Sequence, residues 1–322
     1  MKDKFGRVIE YVRVSVTDRC NLQCFYCSSY RPYSLLKHSE ILTYEEILTI
    51  LSVLAELGIT KVRITGGEPL VRKDIGLLLS QIKKTPGIQK LTITTNGVLL
   101  KNFVSVLKDA QVDGVNISLD TLKEEKFTLI TGKTRLKEVL TGIKMLKDVN
   151  IPLKLNTVYS KHNIDEVESL VKFAIETGSP LRFIELMPFD KRWEENYIPE
   201  EVLYKKLEKI GEISPISASI GDGPARYFTI KTPWGEGKIG LISALSHKFC
   251  AECNRIRISA DGKLIPCMAS EIRFDLKEVL RNKKINSLAD LKELIRDAIY
   301  NKPLEHKMEL LPPPNNMRKL GG

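Results

Sequence analysis

Three cysteines, Cys20, Cys24 and Cys27, stand in the stretch SVTDRCNLQCFYCSSY (residues 15–30), with Tyr26 directly before the last of them. A structural zinc ion completes its tetrahedron with four protein ligands, and disulfides consume cysteines in pairs. A lone triplet therefore leaves one coordination position for something that is not the protein. A second triplet, Cys250, Cys253 and Cys267, lies in FCAECNRIRISADGKLIPC and uses up the remaining cysteines of the chain. There a zinc reading is more serious, because CxxC is a common zinc half-site and His247 stands nearby as a fourth ligand. At the first triplet no histidine occurs before His38.

Composition narrows the setting. Six cysteines in 322 residues, with no apolar leader and no run near the roughly 20 apolar residues of a membrane span, point to metal or redox chemistry in a reducing, cytoplasmic compartment. The net charge of +10 fits nucleic acid, an anionic small substrate or a lysine-rich surface. The placement of the arginines decides between them.

The elements that must carry these residues read as six β-α units. Strands are expected at 11–16, 61–65, 90–95, 114–119, 153–158 and 181–186. The helices between and after them are expected at 43–58, where Thr43 and Glu46 form a capping box, then near 74–84, 101–110, 134–149, 163–177 and 199–210. After about residue 211 the pattern changes to Gly/Pro-rich loops, a hairpin at Asp261-Gly262 and short helices near 275–282 and 287–301. A soft boundary there divides the chain into 1–210 and 211–322. Repeated right-handed crossovers build a parallel sheet. Its strands alternate: Val12, Val14 and Val16 against Tyr11, Arg13 and Ser15; Val62 and Ile64 against Lys61, Arg63 and Thr65. Strands buried between two helix layers would be almost continuously apolar. Helices thus cover one face and the other lines a wet interior, which predicts an α/β fold with a partial (β/α)6 TIM-type barrel, closed by the C-terminal α+β region. Arg13, Lys61, Arg63 and Lys154 fall on the interior face, joined by Arg182, while the polar faces of the first five strands carry no carboxylate. Buried cations without partners cost several kcal/mol. The cluster therefore calls for a multiply charged anion, best a phosphate-bearing ligand.

Polar motifs recur where strands end: Gly66-Gly67-Glu68-Pro69, Thr94-Thr95-Asn96-Gly97, Ser118-Leu119-Asp120 and Glu185-Leu186-Met187-Pro188. Each alone has an ordinary turn or cap reading. At successive strand ends they form a ring around the face where parallel β/α proteins assemble their sites.

CxxxCxxC just past a first strand, with an aromatic before its last cysteine, resembles the signature of the radical S-adenosylmethionine enzymes. In that superfamily three thiolates hold a 4Fe-4S cluster, and the fourth iron chelates S-adenosylmethionine. GGEP matches the superfamily motif that meets the methionine amino group. With Asn254-Arg255-Ile256-Arg257, GPARYF at 223–228 and the terminal Gly321-Gly322, the chain is similar over nearly its whole length to the GTP 3',8-cyclase family of molybdenum cofactor (molybdopterin) biosynthesis. That resemblance implies a second 4Fe-4S cluster at Cys250, Cys253 and Cys267, with its open iron on the guanine. It assigns Arg13, Lys61, Arg63, Thr94, Lys154, Arg182, Arg255 and Arg257 to the nucleotide. Tyr26, Gly66, Gly67, Glu68, Ser118 and Met187 go to S-adenosylmethionine, and Arg255, Arg257, Gly321 and Gly322 to catalysis. It further implies that a 5'-deoxyadenosyl radical abstracts the ribose 3' hydrogen of GTP and that the resulting carbon radical attacks guanine C8. An unidentified one-electron donor and the next enzyme of the pathway are implied as partners, homodimerisation is left open, and neither nucleic acid nor membrane is expected. Two departures stand out: Ser28-Ser29-Tyr30 where the family commonly has Met-Pro, and Leu320 where Ile is usual. The competing readings are a peptide-modifying radical enzyme with an auxiliary cluster, whose C-terminal domain usually carries more cysteines, and a basic zinc-binding nucleic-acid module, for which no basic helix is present.

Overall fold

The computed structural model describes residues 1–27, 34–189, 192–216, 223–282, 287–308 and 317–321. The six expected strands are all present: β1 (Tyr11–Ser15), β2 (Lys61–Thr65), β3 (Lys90–Thr95), β4 (Gly114–Ser118), β5 (Leu153–Tyr159) and β6 (Leu181–Glu185). They pair in parallel and in chain order, with Arg13 level with Arg63 and Asn156 level with Arg182. Alternation explains the layering. Val12, Val14, Ile64, Leu91, Ile93, Ile117 and Leu155 are fully buried beneath the helices, each contributing about 1.5–3 kcal/mol by its burial. The first of these helices, Tyr44–Glu56, starts from the predicted box: Thr43 Oγ1 accepts the Glu46 N–H and Glu46 Oε2 accepts the Thr43 N–H.

One crossover contains a helix the periodicity did not indicate, Glu124–Thr131, which ends at Gly132 with φ +71°. Its apolar content reduces to Phe127 and Ile130 on the buried side, too short a pattern to stand out.

The strands after residue 211 are β7 (Glu212–Pro215), β8 (Arg226–Thr232), β9 (Gly235–Ile242), β10 (Arg255–Ile258), β11 (Lys263–Ile265) and β12 (Phe274–Asp275). They join the same sheet. β9 lies parallel to β6 and β10 lies parallel to β1, giving the order β12-β11-β10-β1-β2-β3-β4-β5-β6-β9-β8-β7. The six-unit partial barrel is thus flanked on both sides by C-terminal strands, and the second cysteine triplet is brought beside the first strand. The β10–β11 hairpin forms as expected but not through a two-residue turn. Ser259 N–H donates to Lys263 O at 2.9 Å and Gly262 sits at φ +79°, which makes a three-residue loop ending in a left-handed glycine. Among the described residues no helix is long and apolar enough to cross a membrane.

Candidate active site

The first triplet sits in the loop after β1. A short turn at Phe25–Cys27 closes it, with Cys27 N–H on Cys24 O at 3.0 Å, and Phe25 packs on Ile130 and Leu186. Tyr26, expected at the cofactor, donates its hydroxyl to Asp120 Oδ2 at 2.5 Å, and Asp120 Oδ1 takes the Val158 N–H at 2.8 Å. Burial, which these hydrogen bonds offset only in part, pushes Asp120 up to about 6. Burial likewise raises Cys24 well above the usual thiol range and takes Cys27 to about 12, with Cys20 adding to the shift. These thiols feel one another, and metal would have to displace their protons.

Gly66 and Gly67 line the same cavity, but what they make room for is backbone. A Cβ at Gly67 would come 2.6 Å from the Arg19 carbonyl carbon and 2.9 Å from Asp18 O; one at Gly66 would come 2.8 Å from Thr17 O. The GGEP loop therefore lies flat on the cysteine loop, with Gly67 N–H on Thr17 O at 2.7 Å and Glu68 N–H on Arg19 O at 2.8 Å. Glu68 is 1% exposed, and both its oxygens are engaged, by Leu70 N–H, Asn96 N–H and the Thr95 hydroxyl. Burial still wins and lifts its carboxyl to about 7. Ser118 and Met187, also expected at the cofactor, line this end of the cavity.

Arginines line the cavity's middle: Arg13, Arg63, Arg182, Arg255 and Arg257. Arg182 is 3% exposed and donates to two neutral amides, Asn156 Oδ1 at 2.8 Å and Asn116 Oδ1 at 2.5 Å. Arg63 donates to the Thr92 hydroxyl at 3.2 Å and lies over the Tyr11 ring. Arg257 donates to Gly321 O at 2.7 Å. These partners are dipoles, so they satisfy donors without cancelling charge. Desolvation first, then the neighbouring arginines, bring Arg182 and Arg257 down to about 10. Tyr11 registers the same field: burial alone would raise its phenol, yet Arg63, Arg13, Arg255 and Arg257 together pull it below its ordinary value. Among the described residues, the buried hydroxyls of Tyr11 and Thr94 have no hydrogen-bond partner and border this space. The cavity thus sets the guanidiniums of Arg63, Arg182 and Arg257, held by neutral groups, beside two idle hydroxyls, the donor set an oxyanion-rich ligand needs.

Two of the predicted interior cations lie outside the cavity lining. Lys61 starts β2 and pairs with Glu10 at 2.6 Å, a carboxylate just before β1 that strand alternation does not count. Lys154 lies over the Tyr227 ring, 5.9 Å from its centroid, and Tyr227 in turn hydrogen-bonds Arg182.

Cys250, Cys253 and Cys267 line the far end of the same cavity, at the open end of the β10–β11 hairpin. Burial would raise Cys253, but Arg255 and Lys302 outweigh it and bring the thiol to about 6. His247 points elsewhere, to Glu200 at 3.1 Å and Arg226 at 3.3 Å, so the histidine that the competing zinc reading would need is turned away. The short C-terminal helix Met317–Leu320 ties the first cysteine loop to the closed turn of the hairpin: Arg318 donates to Leu22 O, Lys319 pairs with Asp261 at 2.5 Å, and Gly321 O meets Arg257 on β10. Gly321 has φ +75°, and a Cβ there would stand 2.8 Å from Thr65 Cβ and 3.1 Å from Gly66 N. Gly322 and Ser28-Ser29-Tyr30 lie outside the described residues.

Two family models divide the chain between them: the radical SAM superfamily over residues 14–174 and Molybdenum Cofactor Synthesis C over 179–308. The GTP 3',8-cyclase of Petrotoga mobilis is 40% identical and that of Thermodesulfovibrio yellowstonii 41%, each aligned over 100% of both chains. That of Peptoclostridium acidaminophilum is 42% identical over 95% of this chain and 93% of its own. The chain belongs to the GTP 3',8-cyclase family. Among solved structures, Streptococcus suis SuiB bound to S-adenosylmethionine superposes with TM-score 0.64 over 93% of this chain and 67% of that one, at 18% identity, a likeness of fold alone. Membership of the GTP 3',8-cyclase family and the radical SAM superfamily brings with it S-adenosylmethionine and a 4Fe-4S cluster, for which the loop after β1 supplies three thiols and an adjoining lined cavity.

Sequence reasoning left Asn156 and Tyr11 as interior positions without a role, and missed Lys302, His306 and Arg318, all lining the cavity. Period-two alternation marks the first pair. Nothing local marks the others, which follow the last long helix or lie near the C-terminus.

Proposed function

We propose that this protein converts GTP to (8S)-3',8-cyclo-7,8-dihydroguanosine 5'-triphosphate in molybdenum cofactor biosynthesis. One observation carries the reading: a single cavity has a cysteine triplet at each end and, between them, a set of arginines of which Arg63, Arg182 and Arg257 donate to neutral partners. Cys20, Cys24 and Cys27 would hold the first cluster, with Tyr26, Gly66, Gly67, Glu68, Ser118 and Met187 around S-adenosylmethionine. Cys250, Cys253 and Cys267 would hold a second 4Fe-4S cluster facing the guanine. When bound and reduced by one electron these groups would supply a 5'-deoxyadenosyl radical for the ribose 3' hydrogen; bonding of that carbon to guanine C8 leaves a base radical, which one further electron from the external donor and a proton would convert to the 7,8-dihydro product.

The chain's own contribution is binding, orientation and exclusion of water. Arg13, Arg63, Arg182, Arg255 and Arg257, with the Thr94 hydroxyl, take the nucleotide; bidentate guanidinium contacts fix phosphate direction as well as distance. Lys154 adds to the positive field from outside the lining, whereas Glu10 takes up the charge of Lys61. Holding the ribose between two anchored ends places the reacting carbons in near-attack geometry and keeps a reactive radical from other partners. The tail is fixed at the site through Gly321 on Arg257, and the resemblance assigns Gly321 and Gly322 to catalysis. Residues 1–210 carry the radical chemistry and 211–322 the substrate-facing cluster and the tail. A one-electron donor must come from outside the chain, the product passes to the next enzyme of the pathway, and the thiol-rich sites suit a reducing cytoplasm.

Anaerobic incubation of the reduced, reconstituted protein with S-adenosylmethionine and GTP tests this. 5'-Deoxyadenosine should form only when GTP is present; cleavage indifferent to GTP would overturn the assignment.

A further inference from the structure

Around the second cysteine triplet, backbone carbonyls converge on two buried cations that no motif marks, Arg7 and Lys302, 9% and 2% exposed. The carbonyl of Cys250 accepts from Arg7 Nη1 at 2.7 Å. Pro266, directly before Cys267, and Arg255, two residues after Cys253, give their carbonyls to Lys302 Nζ at 2.5 and 2.9 Å. Arg7 also takes Leu304 O at 2.9 Å and Pro303 O at 2.7 Å, so the segment that follows Lys302 is held by the same guanidinium. Asp3 aims Arg7: its Oδ2 receives Arg7 Nε at 2.6 Å, while its Oδ1 receives the Phe5 and Arg7 N–H groups at 3.0 and 2.9 Å. This ion pair lies in the first ten residues, before either family model begins.

The chemistry favours a device over a chance packing. Five carbonyls on two cations are charge-assisted hydrogen bonds, stronger than neutral ones, and all five belong to chain in or near the triplet. Losing either cation would strand buried carbonyls under the thiols. A lysine ammonium has three donors, of which these two carbonyls take two, and Lys302 also lines the cavity.

We propose that Arg7 and Lys302 are positioning residues for a cluster at Cys250, Cys253 and Cys267. They set the backbone beneath each thiol before iron arrives and keep a cation beside the thiolates. This rests on the reading of that triplet as a second cluster site, and the test separates the two.

The full-length chain, reconstituted anaerobically, should bind about eight irons, and Cys250→Ser about four, on a count of four per cluster. Lys302→Met and Arg7→Met should each fall from about eight towards four while keeping the change in the reduced cluster's EPR spectrum on adding S-adenosylmethionine. Lys302→Arg should retain the iron, because it restores charge and donors. In a chain with Cys20, Cys24 and Cys27 all replaced by Ala, the second cluster is read alone. There the Lys302→Met protein should lose most of the EPR signal, and its remainder should no longer shift with GTP. Full iron and an unchanged GTP-dependent shift in both Met variants would overturn the proposal and leave the two-cluster reading standing. Equal loss of both clusters would overturn it too, as the mark of a general fold defect. About four irons in the unaltered chain, unchanged by Cys250→Ser, would remove the underlying reading itself.

Discussion

Arg182→Met separates a binding arginine from a structural one. Arg182 is buried and brought from 12.5 down to about 10, chiefly by desolvation and then by Arg63. At about 1.4 kcal/mol per pH unit, the fold bears about 3 kcal/mol for keeping this group charged. Methionine of similar length removes that cost and also removes the donors of Asn156, Asn116 and Tyr227, a loss of about 1–3 kcal/mol. The two nearly cancel, so urea unfolding of the metal-free variant should match the parent within about 2 kcal/mol or exceed it. Binding behaves differently. A phosphate contact to a buried guanidinium should contribute about 2–5 kcal/mol, so GTP affinity, measured by equilibrium dialysis on the reconstituted protein, should fall at least thirtyfold. A variant several kcal/mol less stable that binds GTP normally would refute this reasoning, because Arg182 would then be a strut between β4, β5 and β6.

Three further outcomes follow. Gly321→Ala should leave iron content unchanged and lower the unfolding free energy by at most about 1–2 kcal/mol, the cost of a left-handed alanine, but cut GTP-dependent turnover at least tenfold because its Cβ meets Thr65 and displaces the tail. Glu68 binds its proton more tightly folded than unfolded, so its contribution to stability is complete below about pH 4.5 and is lost as pH rises through about 7, up to about 3 kcal/mol in all; urea titrations at pH 5 and pH 8 should show this slope, flattened in Glu68→Gln. Replacing Cys24 by Ala should remove about four irons and all S-adenosylmethionine cleavage while leaving the GTP affinity of the second end within a few fold.

Much of this site was legible because strands repeat every two residues. Arg13, Arg63 and Arg182 fall on the face opposite the apolar residues of their strands, and a charged residue inside a strand on that face must look into something wet. The same rule oversold Lys61, because Glu10 stands one residue before the strand and escaped the count. Gly66 and Gly67 were legible as close-approach positions, though what approaches them is the cysteine loop's own backbone. The seating of β10 beside β1 was not legible. Its Arg255-Ile256-Arg257-Ile258 alternates as β1 does, and pairing across more than 240 residues leaves no local trace. Lys302 was invisible for a related reason: as one of 50 Lys and Arg residues it differs from a solvated lysine only in which carbonyls the fold brings to it.

In the cavity the guanidiniums of Arg63, Arg182 and Arg257 meet neutral partners, and comparing GTP with guanosine on the reconstituted protein measures directly what their charge gives to binding. Two or more phosphate contacts at about 1.5–3 kcal/mol each predict at least a hundredfold tighter binding of GTP, shrinking as salt is raised. Equal affinity for the two, insensitive to salt, would contradict it.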